Sequence, residues 1–412
     1  MTVGSSQQVH GSQQVRSEAA PRLVASWLLP VWVLGGAALL VLARLVVVGP
    51  VLDRVWAEDG AVFWTDAKNS GLGSFGLTYS GYLHVFPRLV TSVVVLLPEP
   101  AVARSVVVAV ALTTGVLAAL VFAAARALGM NLLWATAAGW SLALVPRAGV
   151  ESIGNLANVQ WLFLACLAWL SVTVFASRAL QVAAAVVAGL TALSTPLAVL
   201  VVPALVIVHG WRGALRHPVT APLLTGLAIQ ALAIIAAPES PFANPAVRHP
   251  GLRLGVIYSL AAQVLPLPPA APAIAPVLVV AALVLAIVVV ASTLPARRAP
   301  FLGLVLTAAL LLGTVAVLNG WAPPRYWVAP TALVVGAAGL WLTRRVWWAQ
   351  TVALAVAVAV AGTGFPADPY RLSGPSWAAQ AQAYRTGCAH GDPAVELQWS
   401  PAGWGSSRVA CR

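Results

Sequence analysis

Charged residues are scarce in this chain. Only 8% of its 412 residues are Asp, Glu, Lys or Arg, whereas soluble domains contain about 25%. By contrast, 60% of the residues are hydrophobic, and the mean hydropathy is +0.89. Apolar runs with lengths of about 20 residues recur along the whole chain, and each is long enough to cross the hydrocarbon core of a bilayer. The composition therefore excludes a soluble domain and predicts an all-α polytopic membrane protein.

Acidic residues and lysine are the rarest charges. Eleven Asp and Glu residues stand against 23 Lys and Arg, which gives a net charge of +12, and Lys68 is the single lysine. The arginines lie mainly in pairs between apolar runs, as in short loops that flank membrane helices. The positive charge is attributed to these loops and does not indicate a nucleic-acid partner.

Cysteine is rare as well, with three residues in the chain. Cys166 lies in an apolar run and is predicted to pack in the protein interior. Cys388 and Cys411 lie in a polar tail, where two cysteines predict a disulfide in an oxidising compartment. Such a bridge would stabilise the tail by about 3 kcal/mol; two free thiols are the alternative.

The apolar runs predict about 11 transmembrane helices. They cover residues 26–48, 101–125, 131–147, 154–176, 180–194, 196–209, 219–237, 274–292, 301–318, 328–342 and 346–364. Arg22 precedes the first run, so the positive-inside rule places the N-terminus in the cytoplasm and the C-terminus outside the cell membrane. In this arrangement Glu18 is the one acidic residue on the inside, and the carboxylates gather on the outer side.

Three parts follow from this topology. Residues 1–25 are predicted to be a disordered cytoplasmic tail, residues 26–364 a transmembrane domain, and residues 365–412 a small extracytoplasmic cap. The first outer loop covers 49–100. Within it, residues 82–97 are predicted to form an amphipathic helix on the outer membrane surface. The alternative, a true crossing, would reverse the orientation of every later helix.

The first outer loop concentrates the scarce polar residues. It holds Glu58, Asp59, Asp66, Lys68, His84 and Arg88. Asp59 is the predicted general base, because a carboxylate near the membrane surface can accept a proton from an attacking sugar hydroxyl. The alternative is an N-cap for a helix that begins at Asp59.

The neighbours of Asp59 have supporting roles in this interpretation. Glu58 would orient a second hydroxyl or help to bind a divalent cation. No His/Asp/Glu motif with the spacing of metal ligands accompanies it, so no metal site is predicted. Asp66 is expected to be a solvated loop residue. Lys68 is either a substrate-binding residue or a surface lysine.

Further along the chain, other polar residues are predicted to meet the same outer face. Arg88 and Arg325 are candidates to hold a phosphate, because guanidinium groups fork onto phosphate oxygens. His84 is a second phosphate candidate, or an interface residue. The amides of Asn155, Asn158 and Gln160 are candidates for binding sugar hydroxyls, with hydrogen bonds between helices as the alternative. Glu151 and Tyr326 are further substrate-binding candidates.

Several segments, in order, resemble a known superfamily. They are WAEDG and GYLHVFPR in the first loop, ARALGMNLLWATAAGWSLALVP, ESIGNLANVQW, TALSTPLAVLVVPALVIVHGWR and PPRYWVAP. Their order is similar to that of the GT-C superfamily of polytopic membrane glycosyltransferases, over residues 50–345. Members of that superfamily often carry an Asp-Glu or Asp-Asp pair in the first loop, whereas here the order is Glu58–Asp59.

The resemblance implies an enzyme that moves a sugar from a polyprenyl-phosphate donor to a cell-envelope glycan or lipid on the outer face. Asp59 would deprotonate the acceptor, and Arg88 and Arg325 would hold the lipid phosphate. Direct attack on the donor would invert the anomeric centre, and a single base fits that outcome better than two paired carboxylates do.

Three other functions remain open from the sequence. A flippase or transporter of lipid-linked sugars would place charges in both halves of an internal repeat, and no repeat is evident. An outer-face glycan polymerase or ligase would use arginine and histidine in a late loop, as Arg248, His249 and Arg253 offer in 238–272. A non-catalytic scaffold with a sensory tail is the third.

Overall fold

The computed structural model describes residues 19–49, 51–145, 152–237, 291–294, 297–319, 324–363 and 372–411. Several predictions fall outside these residues. They concern the tail up to residue 18, the site candidate Glu151, the loop 238–272, and most of the predicted helix 274–292.

Helices dominate the described chain, in agreement with the all-α prediction. The described α-helices are α1 (Ala19–Val48), α2 (Thr65–Ser70), α3 (Val85–Val94), α4 (Val102–Ala127), α5 (Leu132–Leu144), α6 (Gln160–Ser171), α7 (Arg178–Ser194), α8 (Val202–Arg216), α9 (Thr220–Ala236), α10 (Arg298–Asn319), α11 (Val328–Leu342), α12 (Trp347–Thr363) and α13 (Trp377–Ala389). Two short antiparallel hairpins complete the described part, β1 (Thr78–Tyr79) with β2 (Tyr82–Leu83) and β3 (Ala394–Gln398) with β4 (Ser406–Ala410).

Within the described residues, three helical stretches are long and apolar enough to cross a membrane. They are Leu28–Val47, Glu99–Ala127 and Pro196–Arg216. These stretches agree with a membrane protein. The number of about 11 crossings and the orientation of the chain stay predictions.

The segment 82–97 forms a shorter helix than expected. Its first residues belong to the β1–β2 hairpin, and α3 covers only the ten residues Val85–Val94. Ten helical residues extend about 15 Å, half of the roughly 30 Å of a bilayer core. The short length of α3 favours the surface arrangement, and the placement of this segment relative to the membrane stays a prediction.

The core is built around α6, in which every residue from Gln160 to Ser171 is buried. Helices α4, α7 and α11 pack around it, and α1 packs on the far side of α4. Small residues allow these close approaches. At Gly115 in α4, an added Cβ would lie 2.6 Å from the backbone oxygen of Leu34 in α1, so a larger residue would force the two helices apart.

The C-terminal segment 372–411 is a small folded cap made of α13 and the β3–β4 hairpin. Ser376 caps α13 by accepting the amide of Ala379 at 3.2 Å. A disulfide joins Cys388, at the end of α13, to Cys411, just after β4. The predicted bridge is therefore confirmed. Cys166 is a buried free thiol, as predicted for interior packing.

Candidate functional site

Asp59 is the most deeply placed acidic residue of the first loop, with no exposed surface. It begins a π-helical turn, Asp59–Trp64. Its two carboxylate oxygens accept the backbone amides of Leu156 at 2.8 Å and Ala157 at 2.9 Å. Asp59 therefore fastens the first loop to the turn that precedes α6. It does not cap its own helix, because the residue before that helix is Glu58 and no side chain caps it.

The π-helical turn matters for how Asp59 is presented. Single π-helical turns are rare and occur often at functional sites, because the wider turn redirects side chains. The carboxylate receives two amide hydrogen bonds, which are strongest when the acceptor is ionised. Glu58, one residue earlier, is half-buried at the start of the same turn.

The predicted amide residues lie on the segment that Asp59 holds. Asn155 and Asn158 are both buried, and the side-chain oxygen of Asn155 accepts the amide of Asn158 at 2.9 Å. This turn explains why α6 begins at Gln160 and not at residue 154. Within 152–161, three buried side-chain polar atoms have no hydrogen-bond partner among the described residues, namely Ser152 Oγ, Gln160 Oε1 and Trp161 Nε1.

Arg88 lies in α3 with no exposed surface. One of its terminal nitrogens donates to Asp66 Oδ2 at 2.8 Å, and the guanidinium lies 5.5 Å from the centre of the Phe63 ring. Its Nε and Nη2 atoms are buried and have no hydrogen-bond partner among the described residues. The expectation for Asp66 was wrong: it is an ion-pair partner in α2, with a quarter of its side chain exposed (26%).

His84 lies beside Arg88 and is also buried. Burial, and secondarily the charge of Arg88, lower the pKa of His84 to about 3, so the ring is neutral at ordinary pH. Its Nε2 atom is 3.2 Å from the Tyr79 oxygen. A carbonyl only accepts, so Nε2 carries the proton and Nδ1 is a free acceptor. His84 therefore offers a ligand a hydrogen-bond acceptor and not the positive charge expected of a phosphate-binding histidine.

The β1–β2 hairpin carries an aromatic residue that sequence reasoning missed, Tyr82. Its turn, Ser80–Gly81, has positive φ at both residues (53° and 78°), the geometry of a tight hairpin turn. The centre of the Tyr82 ring lies 4.2 Å from that of the His84 ring, with the two planes tilted by 33°, and the Tyr82 hydroxyl lies close enough to the Gln160 side chain to be affected by it. Burial raises the pKa of Tyr82 above its usual range, so the phenol stays protonated and can donate.

Arg325 and Tyr326 join the same region from late in the chain. They lie in the short 3₁₀ turn Pro324–Trp327. The Tyr326 ring meets the Trp161 ring edge-on at 4.8 Å, and the Arg325 guanidinium lies 5.2 Å from the Tyr326 ring. Both residues are close enough to Tyr82 to affect its ionisation. The structure thus brings the predicted groups at 58–59, 84–88, 155–160 and 325–326 together.

Lys68 lies away from an open surface. Its ammonium pairs with Glu99 Oε1 at 3.3 Å and lies 5.6 Å from the Trp64 ring and 5.4 Å from the Tyr384 ring. The lysine thereby links α2 to the start of α4 and to the cap. Among the described residues, no group of three or more His, Cys, Asp and Glu could hold a metal ion.

The cap covers the outside of the π-helical turn, and sequence reasoning did not find this contact. Gly60 faces the Trp399 ring so closely that an added Cβ would lie 2.0 Å from it. Thr65 and Ser407 share a hydrogen bond at 3.0 Å. The side chain of Asn69 donates to the Arg408 oxygen and accepts the Ala410 amide. Glycine next to Asp59 and tryptophan in the tail were the sequence signals for this packing.

Arg44, near the end of α1, contacts the end of the neighbouring helix α5. It is buried, and its guanidinium donates to the backbone oxygens of Ala143 at 2.8 Å and Val145 at 3.0 Å. These carbonyls end α5, where a positive charge is favoured by the helix dipole. Arg44 therefore caps a neighbouring helix.

Comparisons of the chain with protein-family models, with curated proteins and with solved structures found no match. The function of this chain is therefore inferred from the residues of the site and their geometry.

Proposed function

We propose that this chain is a membrane glycosyltransferase that moves a sugar from a polyprenyl-phosphate donor to an acceptor hydroxyl of a cell-envelope glycan or lipid, on the outer face of the membrane. The observation that carries the proposal is a fully buried carboxylate, Asp59, in one loop with a fully buried guanidinium, Arg88, that has two unpaired nitrogens among the described residues. Buried ionisable groups in membrane proteins are costly to maintain and usually serve function.

Each group has a role in this proposal. Asp59 accepts the proton of the acceptor hydroxyl as that oxygen attacks the anomeric carbon. Arg88 and Arg325 stabilise the phosphate that leaves with the lipid, and Glu58 orients the acceptor. Tyr82, Gln160, Asn155 and Asn158 hold sugar hydroxyls. Because one base and one departing phosphate suffice, the transfer inverts the anomeric centre.

The neutral state of His84 refines this arrangement. Its free Nδ1 accepts a hydrogen bond and cannot neutralise a phosphate. The positive charge that neutralises the donor phosphate must therefore come from the arginines. In this proposal, Nδ1 of His84 accepts a hydrogen bond from a hydroxyl group of the bound sugar or lipid headgroup.

A lipid and glycan profile of a strain that lacks the gene identifies the product and supplies the assay. Asp59→Asn should then abolish transfer from the polyprenyl-phosphate donor while the protein still accumulates in membranes. The matched control is Asp392→Asn, which removes an exposed cap carboxylate and should retain full activity. Full activity in Asp59→Asn would refute the role of Asp59, and an unchanged profile in the deletion strain would refute the proposed function.

A further inference from the structure

Four arginines meet at the end of the bundle that lies opposite the cap. Arg126 ends α4, Arg297 precedes α10, and Arg344 and Arg345 follow α11. Helix α4 begins beside the cap, where Trp377 donates to the Glu99 oxygen. Its 26 residues extend about 39 Å, so this arginine cluster (Arg126, Arg297, Arg344 and Arg345) is remote from Asp59.

Direct contacts hold the cluster together. Arg126 donates to the Met130 oxygen, and Arg297 donates to the adjacent Gly129 oxygen at 2.6 Å. A second nitrogen of Arg297 lies 3.4 Å from the Leu340 oxygen, near the end of α11. These two arginines therefore bind carbonyls at the ends of α4 and α11.

Arg345 reaches the same place through Thr293. Its Nη2 atom donates to Thr293 Oγ1 at 3.2 Å, and the indole of Trp341 donates to that same oxygen at 3.2 Å. The guanidinium lies 4.5 Å from the Trp341 ring. Burial, and secondarily the charge of Arg344, lower the pKa of Arg297, so Arg344 and Arg297 are near neighbours.

The positive charges of the cluster have no carboxylate beside them in the described part of the chain. All described acids belong to the first loop or the cap, namely Asp53, Glu58, Asp59, Asp66, Glu99, Asp392 and Glu396. The hydrogen-bond partners found for the cluster are backbone carbonyls and a threonine hydroxyl. Like charges held together without a counter-ion repel one another, and an anion bound between them would relieve the repulsion.

The surroundings of the cluster indicate which anion fits. The turn after Arg345 exposes Val346, Trp347 and Trp348, with Trp347 77% exposed. Leu132 and Leu133, at the start of α5, are exposed at the same end. Tryptophan is enriched where headgroups meet acyl chains. An amphipathic anion, with a phosphate for the arginines and chains for the apolar rim, matches both features.

We propose that the arginine cluster binds the phosphodiester headgroup of an anionic phospholipid, with the acyl chains lying against the exposed residues Val346 and Trp347. Basic pockets between helices are a common form of anionic lipid site. Arg344 and Arg345 are exposed and would bind the phosphate. Arg126, which is exposed as well, and the partly buried Arg297 bind backbone carbonyls at the helix ends. This lipid site is independent of the proposed glycosyl transfer.

The test uses the full-length protein purified in a neutral detergent. Binding of phosphatidylglycerol and of phosphatidylcholine is measured by native mass spectrometry, with Arg344→Gln/Arg345→Gln compared with the wild type. Each basic residue near a headgroup contributes about 1 kcal/mol, so the double variant should bind phosphatidylglycerol roughly 30-fold more weakly. Arg344→Lys/Arg345→Lys, which keeps the charge, should retain most of the binding.

The matched control is Arg385→Gln/Arg408→Gln, which removes the same charge from two exposed positions of the cap and should leave binding unchanged. Equal loss in the control, or equal binding of the two lipids by the wild type, would overturn the proposal. Displacement of the lipid by an equal concentration of inorganic phosphate would also overturn it, because the site would then recognise a simple anion.

Discussion

The carboxylate of Asp59 accepts the backbone amide of Leu156 at 2.8 Å across 97 residues of sequence. This contact joins the first loop to the turn before the fully buried helix α6. The turn carries Asn155 and Asn158 and leads directly into Gln160. A change at Asp59 therefore moves the amides as well as the carboxylate, and stability must be measured beside activity in any Asp59 variant.

The ion pair between Asp66 and Arg88 should respond unequally to loss of its two partners. Asp66→Asn leaves a fully buried guanidinium without its counter-ion and should lower the free energy of unfolding by about 3–5 kcal/mol. Arg88→Met should lower it less, because the Asp66 side chain is 26% exposed and can be solvated. Thermal unfolding in detergent measures both. Asp66→Asn/Arg88→Met should recover part of the loss, and equal effects of the two single variants would contradict this asymmetry.

Gly60→Ala should loosen the cap from the first loop. The new methyl group would lie 2.0 Å from the Trp399 ring, and overpacking of this kind destabilises by about 1–3 kcal/mol. Limited proteolysis should release the cap faster in this variant than in the wild type. The control is Gly35→Ala in α1, where an added Cβ meets nothing within 4 Å. Identical cleavage rates for Gly60→Ala and the wild type would show that the contact is loose.

The disulfide should determine how well the cap stays folded. Removing it with Cys388→Ser/Cys411→Ser opens a loop of 23 residues and should destabilise the cap by about 3 kcal/mol. A reducing agent should speed proteolysis of the wild-type cap and leave the double variant unaffected. Cys166→Ala, which removes the buried free thiol, should keep the wild-type response.

The orientation of the chain is tested with the same two cysteines. After reduction, a membrane-impermeant alkylating reagent should label Cys388 and Cys411 in intact cells if the cap lies outside the membrane. Labelling that requires lysis would place the cap, and with it the first loop, in the cytoplasm.

His84 should make stability depend on pH. Its pKa is about 3 in the folded protein and about 6.5 in an unfolded chain, so between these values the unfolded state binds more protons. Stability is thus fully present above about pH 6.5 and is lost as the pH falls towards 3, by about 2 kcal/mol at pH 5. His84→Gln should flatten the decline in melting temperature over this range. His390→Gln, at an exposed cap position, should not change it.

Most helices could be predicted because apolar runs in a membrane protein have one simple explanation. The run 328–342 coincides with α11, and 101–125 differs from α4 by two residues at most at either end. The predicted start of α6 lies six residues before the observed one. Asn155 and Asp59 stabilise a turn in this segment, where hydropathy alone predicts a helix. The break at Gly210, with φ of 66°, likewise leaves no mark in hydropathy.

The composition of the site was easier to predict than its pairings. Scarcity of charge made Asp59, His84 and Arg88 conspicuous. Nothing local indicates that Arg88 pairs with Asp66, because the partner is fixed by how α2 and α3 pack. The neutrality of His84 also depends on burial beside Arg88, which is a property of the folded chain.

The hydrogen bond between Thr65 and Ser407 spans 342 positions, and this has a consequence for biogenesis. The ribosome finishes the first loop long before it makes the hairpin that packs on it. During that interval Gly60 and Asn69 lack their contacts with the cap, so the packing of the first loop is incomplete. A nascent chain that stalls within the later helices would therefore be left with an unfinished loop, open to quality-control proteases.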